Sequence, residues 1–179
     1  MKNNNRKNGI FTFGVMALGM AFGILSKLGD VAVQGNVLGD TLRAFGYISS
    51  GFFIWVVICT GICVLSKTRL WTAINIATFL IAMLLAYYLY SYFVVDYLAL
   101  RIVKFWVILL IPSAVLGCMI WDIQTNKIVK HIVFTAGTFI MIYDMIAQGL
   151  MPIAMVIYAA LYGTFFRLTM SKSKYFDRS

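Results

Sequence analysis

The sequence predicts an all-α fold: a polytopic integral membrane bundle of six transmembrane helices with both termini in the cytoplasm. Three observations predict it. Of the 179 residues, 62% are apolar and only 12% are charged, whereas soluble domains are about a quarter charged. Long uncharged runs recur along the chain, and the basic residues are concentrated in alternate loops. This composition excludes a disordered chain, a nucleic-acid-binding protein and an ordinary cytosolic globule.

Six long runs without Asp, Glu, Lys or Arg, one of them interrupted by an aspartate, predict the helices. A helix needs about 20 mainly apolar residues to cross a hydrocarbon core of about 30 Å. The predicted helices cover about residues 9–26, 44–65, 70–92, 103–121, 128–147 and 150–167. The longest segment between them, 27–43, is too short to fold alone. Residues 1–179 are therefore predicted to form a single transmembrane domain, with no soluble domain.

The segment between the first two predicted helices has a helical pattern of its own. Helix one follows a basic N-terminal stretch, and helix two begins where the chain becomes continuously apolar. Between them, Leu38, Leu42 and Phe45 recur at helical spacing beside charged residues. This pattern predicts a short amphipathic helix on the outer surface of the membrane.

Each of the other four predicted helices carries its own signal. Helix three ends among tyrosines on more than one face, which is typical of a membrane–water interface. Helix four contains Pro112, which is predicted to kink it, with Ser113 near the freed backbone groups. Helix five contains Asp144 near its outer end, and helix six has Pro152 in its first turn, where proline is tolerated.

The orientation follows from the basic residues, because Lys and Arg favour cytoplasmic loops. On the six-helix map one side holds eleven basic residues and two acids, and the other side holds four of each. The first side therefore carries the whole formal net charge of +9 and is predicted to be cytoplasmic. The Lys-, Asn- and Ile-rich ends indicate an AT-rich bacterial source, so the predicted location is the bacterial cytoplasmic membrane.

Three pieces of the chain carry a resemblance to known proteins. They are Gly23-Ile-Leu-Ser-Lys-Leu-Gly-Asp30 leaving helix one, Trp55 in helix two, and Ala86-Tyr-Tyr-Leu-Tyr-Ser91 ending helix three. Through them the stretch from about residue 9 to 92 resembles a family of small bacterial multi-pass membrane proteins of unknown function. This resemblance implies a multi-pass bundle and supplies no activity.

The six-helix layout and the chain length are more loosely similar to the S components of energy-coupling-factor vitamin transporters. In those proteins, small residues on helix one dock a shared transmembrane partner. The resemblance would match Gly14, Ala17 and Ala21 to that docking face. The chain carries none of the substrate-specific signatures of particular vitamin binders.

Asp144 is the most informative single residue, because an ionised carboxylate in a membrane is costly and normally faces the bundle or a wet cavity. An ion pair with an outer-side cation, substrate binding and proton coupling are the alternatives. The candidate cations are Lys27, Arg43, Arg101 and Lys104. The first functional hypothesis is a transport-related subunit that binds a small-molecule ligand near the outer face. The predicted binding residues are Asp144, Lys27, Tyr87, Tyr90, Tyr143 and Gln148.

The second hypothesis is a non-catalytic accessory protein whose lipid-embedded surface docks another membrane protein or transporter subunit. Small residues on a helix let a neighbouring helix approach closely. Helix one has them on two opposite faces: Gly14, Ala17 and Ala21 on one, and Gly19 and Gly23 on the other. Either one face packs inside the bundle and leaves the other for a partner, or both pack inside. The lipid bilayer is the only other predicted partner.

The third hypothesis is an intramembrane cysteine peptidase-like enzyme that uses Cys118 and His131, with Asp122 nearby. A thiolate nucleophile needs such a base and an acid to orient it. Small six-helix peptide-processing proteases use a membrane Cys and His, but their pair is more closely spaced in sequence. The three cysteines and the single histidine complete no metal-ligand set. No metal and no cofactor is predicted, and the non-enzymatic hypotheses are preferred.

Overall fold

The computed structural model describes residues 2–33, 35–96, 100–147 and 152–170, and in these ranges every regular element is helical. The all-α prediction is confirmed. The helices are α1 (Lys2–Val31), α2 (Val37–Ser50), α3 (Phe53–Leu65), α4 (Arg69–Val94), α5 (Leu100–Ile120), α6 (Lys127–Ala147) and α7 (Pro152–Met170), with a short 3-10 helix at Trp121–Gln124.

Four of the described helical segments are long and apolar enough to cross a membrane. They are Asn8–Val31, Arg69–Val94, Trp106–Ile123 and Lys127–Ala147. The bent pair α2–α3 gives a fifth if it is taken as one span, and the apolar part of α7, Met155–Met170, is shorter. The described chain thus has the helices of an integral membrane protein, with four or five spans by length and composition. The six spans and the cytoplasmic termini remain predictions.

The helix predicted over 44–65 is interrupted, because α2 and α3 meet at an angle of 71°. Gly51 leaves the helical conformation and donates its N–H to the carbonyl of Ile48, which closes α2. At the start of α3, Phe52 provides no side-chain cap for the free N–H groups. The amphipathic segment predicted around Leu38 is therefore continuous with the first part of the predicted span, and together they form α2.

Glycines set the close approach of α1 to its neighbours. Gly19 and Gly23 lie against the backbone of α4, where a Cβ on Gly19 would come within 2.5 Å of the Phe79 carbonyl oxygen. Gly29 and Gly46 bring α1 and α2 into backbone contact in the same way, with a Cβ on Gly29 falling 2.6 Å from the Gly46 nitrogen. Small residues on facing helices allow such backbone approach in membrane proteins.

The helix α3 lies in the middle of the bundle, in contact with α4, α5, α6 and α7. Its Phe53 is fully buried and meets Phe165 of α7 edge to face, with ring centres 5.6 Å apart. Trp55 meets Phe22 of α1 at 5.4 Å in the same manner. Aromatic pairs in this geometry add to the stability given by burial alone, so α3 joins the two halves of the chain.

The molecule has two ends, named here by a residue of each. The Asp30 end holds the C-terminal ends of α1, α4 and α6 and the N-terminal ends of α3, α5 and α7. The Arg69 end holds the opposite termini of those helices, including the start of α4. At the Arg69 end, Arg69 pairs with Asp122, with 2.5 Å between Nη2 and Oδ2.

Candidate ligand-binding site

Asp144 is buried, with 2% of its surface exposed, and lies in the last turn of α6. Its Oδ2 accepts a hydrogen bond of 2.6 Å from the backbone N–H of Phe53, the first residue of α3. The carboxylate thus supplies the cap that α3 lacks in its own sequence, and its negative charge lies at the positive end of the helix dipole. This backbone contact was not among the alternatives that the sequence suggested.

The cations predicted as partners of Asp144 lie elsewhere wherever their side chains are described. Lys27 has its ammonium group over the ring of Tyr87, and Arg43 lies over the ring of Tyr47. The side chain of Lys104 is exposed, and that of Arg101 lies outside the described residues. The break between α2 and α3 creates the free helix N-terminus that Asp144 caps. The continuous helix predicted over 44–65 has no free N–H groups at this position, so the sequence provided no reason to expect the cap.

A polar cluster lies at the Asp30 end, where α1 and α4 meet. Lys27 is only 8% exposed, and its Nζ lies 5.1 Å from the centre of the Tyr87 ring. The Tyr87 hydroxyl donates a hydrogen bond to the Asp30 carboxylate. Two of the predicted binding residues, Lys27 and Tyr87, are therefore together, and Asp30 joins them. The sequence did contain a signal for Asp30, since it follows Lys27 by three residues and shares its helix face.

A small polar pocket of about 80 Å³ borders this cluster. Its hydroxyl and carboxylate wall groups come from three helices: Ser26 and Asp30 of α1, Ser49 and Ser50 of α2, and Tyr87 and Tyr88 of α4. The Ser26 hydroxyl is buried and has no hydrogen-bond partner among the described residues. A buried hydroxyl left without a partner costs about 1–3 kcal/mol, so a ligand that supplied one would recover that free energy.

A larger cavity of about 530 Å³ lies between α3, α4, α5 and α6. Its walls are almost entirely aliphatic and aromatic, and Thr60 and Ser113 are two of the few polar exceptions. Ser113 donates its hydroxyl to the Leu109 carbonyl at 2.7 Å, within the turn that contains the helix-interior proline. The Thr60 hydroxyl is buried and has no partner in the described chain. The volume lies within the usual range of about 300–1,000 Å³ for small-molecule pockets.

The two cavities lie side by side and share four wall residues: Trp55, Met83, Leu84 and Trp106. The indoles of Trp55 and Trp106 pack on each other with ring centres 5.7 Å apart. A polar compartment at one end of the bundle is thus separated from an apolar one by a thin layer of side chains. No sequence pattern indicated the apolar cavity, because its walls look like any lipid-facing or buried helix face.

The predicted binding residues Tyr143 and Tyr90 lie apart from this cluster. Tyr143 lines the rim of the apolar cavity and is largely exposed. Tyr90 is half-buried and is part of neither cavity wall. Gln148 lies outside the described residues. The structure therefore brings Lys27 and Tyr87 into one cluster and places Asp144 in a separate, structural contact.

The two small-residue faces of α1 have different surroundings. Gly19 and Gly23 are buried against α4. Gly14, Ala17 and Ala21 are exposed, and a Cβ on Gly14 would meet nothing within 4 Å. One face therefore packs inside the bundle. Docking of a partner helix on the other face remains a prediction.

Cys118 and His131 are not hydrogen-bonded to each other in the described chain. The Cys118 thiol donates to the Arg69 carbonyl at 3.3 Å, and Asp122 forms the ion pair with the Arg69 side chain. His131 is exposed on the first turns of α6. Cys118 and Asp122 thus both contact Arg69, His131 does not, and no nucleophile–base contact among the described residues favours the peptidase hypothesis.

Comparison with known proteins adds no relative: no family model, curated protein or solved structure matches the chain. The class defined by its fold is an integral membrane protein with an all-helical bundle. The resemblances drawn from the sequence remain predictions, and the function has to be inferred from the two cavities and their walls.

Proposed function

We propose that the protein is a non-catalytic, transport-related membrane subunit that binds a small molecule at the Asp30 end of the bundle. The observation that carries the proposal is the cluster of Lys27, Asp30 and Tyr87 beside a pocket with an unpartnered hydroxyl, that of Ser26. Ionisable residues within membrane helices are costly and usually mark a ligand or ion pathway. The Ser26 hydroxyl is a hydrogen-bonding group of the pocket wall that the described residues leave available to a ligand.

The predicted topology places this pocket on the outer side of a bacterial cytoplasmic membrane. With both termini in the cytoplasm, the C-terminal end of α1 faces outward, and Asp30 with it. A solute that arrives from outside would then reach the pocket without crossing the hydrocarbon core. This orientation supports a role in uptake, in which the subunit captures the solute for a transporter.

Gentle extraction followed by native mass spectrometry tests the proposal through the variants Asp30→Asn and Ser26→Leu. The first removes the charge that receives the Tyr87 hydrogen bond, and the second fills the small pocket. We expect the wild-type protein to retain a small molecule of defined mass and both variants to lose it. Asp40→Asn is the matched control, because Asp40 is an exposed aspartate of α2 outside the pocket wall.

The proposal would be wrong if the wild-type protein and all three variants carried the same adducts. It would also be wrong if Asp40→Asn lost the molecule as completely as Asp30→Asn. A general loss of folding would lower extraction and the circular dichroism signal of the helices, and these measurements separate it from a specific loss of ligand.

A further inference from the structure

The apolar cavity has the dimensions of a lipid chain. Its wall follows α5 from Trp106 to Ile120, a length of about 21 Å at the helical rise of 1.5 Å per residue. One leaflet contributes about half of a hydrocarbon core of about 30 Å. The cavity is therefore long enough to hold one full-length hydrocarbon chain that runs parallel to the helices.

The cavity opens sideways, between α5 and α6. These two helices make almost no direct contact in the described chain, whereas α5 packs on α4 and α6 packs on α7. Leu116 of α5 and Phe139 of α6 both line the cavity and are largely exposed, so the cavity wall reaches the surface of the bundle on both helices. Both residues lie within helical segments apolar enough to span the membrane, which places the opening at the depth of the lipid chains.

The polar pocket lies at one end of this apolar cavity, beside Trp55 and Trp106. The larger space next to these side chains can take the part of a molecule that does not fit into about 80 Å³. Lys27 and Asp30 both contact Tyr87 and contribute one charge of each sign, and Asp30 lines the pocket itself. A site with balanced charges and several hydroxyl groups suits a neutral, hydrogen-bonding head group better than an ion.

We propose that the apolar cavity is a binding site for the single hydrocarbon chain of a neutral amphiphile, such as a monoacylglycerol, which enters from the bilayer between α5 and α6. The assignment of its head group to the polar pocket rests on the proposed function, and the chain site does not. The walls accept the chain because they offer it apolar contact along its whole length. The head group lies among the hydroxyls of Ser26, Ser49 and Tyr87.

Cavity-filling variants test the chain site in the full-length protein, reconstituted in phosphatidylcholine nanodiscs and titrated with 1-monopalmitoylglycerol. Lipid tails are as apolar as the cavity wall, so packing inside the cavity decides the affinity. Leu109→Trp fills the cavity from α5. Ile108→Trp is the matched control, because Ile108 is next to Leu109 in sequence but is exposed and does not line the cavity. We expect Leu109→Trp to weaken binding by about tenfold, equivalent to about 1.4 kcal/mol, and Ile108→Trp to leave it unchanged within a factor of about two.

A second, smaller substitution covers the case in which Leu109→Trp disturbs folding. Cys59→Leu adds volume to the same cavity from α3 and should weaken binding in the same direction. Thr60→Val removes the unpartnered hydroxyl without a change of size. Because a hydrocarbon chain makes no hydrogen bond, its binding should not be weakened by this substitution. Binding of 1-monopalmitoylglycerol that is equal or tighter in Thr60→Val supports a chain, and binding that falls about tenfold overturns it.

The outcomes separate this inference from the proposed function. If Leu109→Trp and Cys59→Leu bind the probe as the wild type does, the chain site is wrong, whatever Asp30→Asn does to the natural ligand. If both weaken binding while Asp30→Asn has no effect on the probe, the chain site stands and the head-group assignment fails. A stable dimer that is lost in Leu116→Trp, with no probe bound to the wild type, would show that a second copy occupies the opening and would overturn the proposal.

Discussion

The α1–α4 side of the bundle and the α5–α6 side differ in how closely their helices approach. On the first side, Gly19 and Gly23 place two backbones in direct contact along much of both helices. On the second, α5 and α6 make almost no direct contact, and a cavity lined by large side chains such as Leu116 and Phe139 lies between them. The helices α1, α4 and α5 are about equally apolar, and α6 is less so. The difference shows that the placement of small residues, and not hydrophobicity, decides which helix pairs close in this protein.

The strongest test of the close contact between α1 and α4 is the substitution Gly23→Leu. A side chain at this position would overlap with the Met83 carbonyl of α4, which cannot move without separating the helices. We expect a loss of about 3 kcal/mol in the free energy of unfolding, at the upper end of typical overpacking effects. Denaturant titration of the purified protein, followed by circular dichroism, would measure the loss. Gly14→Leu is the matched control, because that position faces open space, and an equal loss in both variants would contradict the close contact.

The second test concerns Asp144, which connects the α6–α7 pair to the central helix α3. Asp144→Ala leaves the Phe53 N–H buried without an acceptor, so we expect a loss of about 1–3 kcal/mol in the free energy of unfolding. Asp144→Asn keeps an oxygen acceptor and should lose less.

The stability of the Asp144 variants and their ligand retention distinguish a structural role from a binding role. If Asp144→Asn unfolds as the wild type does but no longer retains the bound molecule, the original prediction of a substrate-binding aspartate is favoured over the helix cap. Asp122→Asn is a suitable comparison, because it removes a partly exposed ion pair that contributes at most about 1 kcal/mol.

The smallest expected effect lies on the α5–α6 side, at the cavity. It is measured by substituting two cysteines of α3 that are one turn apart. Cys59 lines the cavity, whereas Cys63 is fully buried in the core and donates to the Gly117 carbonyl. Cys59→Leu adds atoms where there is space, and we expect it to be neutral or to stabilise by about 0.5 kcal/mol. Cys63→Leu should destabilise, because that site is already filled. Thermal unfolding measures both, and equal destabilisation would mean that the cavity is closed in solution.

The sequence was sufficient for features that depend on local composition. The apolar runs predicted helices that the structure contains, and the pattern around Leu38 predicted a helix that forms as part of α2. It was insufficient where neighbours decide, as in the break at Gly51 and Phe52. Ser50-Gly51 is a weak local signal for a break, but nothing near it in sequence caps the second helix. The carboxylate of Asp144, 91 positions along the chain from Phe53, stabilises that helix start.

The candidate site was also predicted only in part, because contacts between residues distant in sequence form it. Lys27 was predicted as a binding residue because it is an outer-side cation, Tyr87 because it is one of the tyrosines that end helix three, and the structure places them in contact. Asp30 appeared only in the resemblance motif and among the outer-side acids, since helix one was expected to end at about residue 26, whereas α1 continues to Val31. The unpartnered hydroxyls of Ser26 and Thr60 had no sequence signal, because a serine or threonine in a membrane helix normally bonds within its own helix.

By itself, the sequence determined that this chain is helical and apolar enough for a membrane, because a helix satisfies its own backbone in lipid and its length and polarity decide whether it can span the hydrocarbon core. The tertiary structure decided which faces of α1 are used, what Asp144 binds and where space is left. Those outcomes depend on side-chain volume and on partners distant in sequence. The helices α1, α4 and α5 are about equally apolar, yet the contact beside Gly23 is closed and the cavity beside Leu109 is open, because packing, unlike the hydrophobic effect, discriminates among apolar surfaces within a membrane.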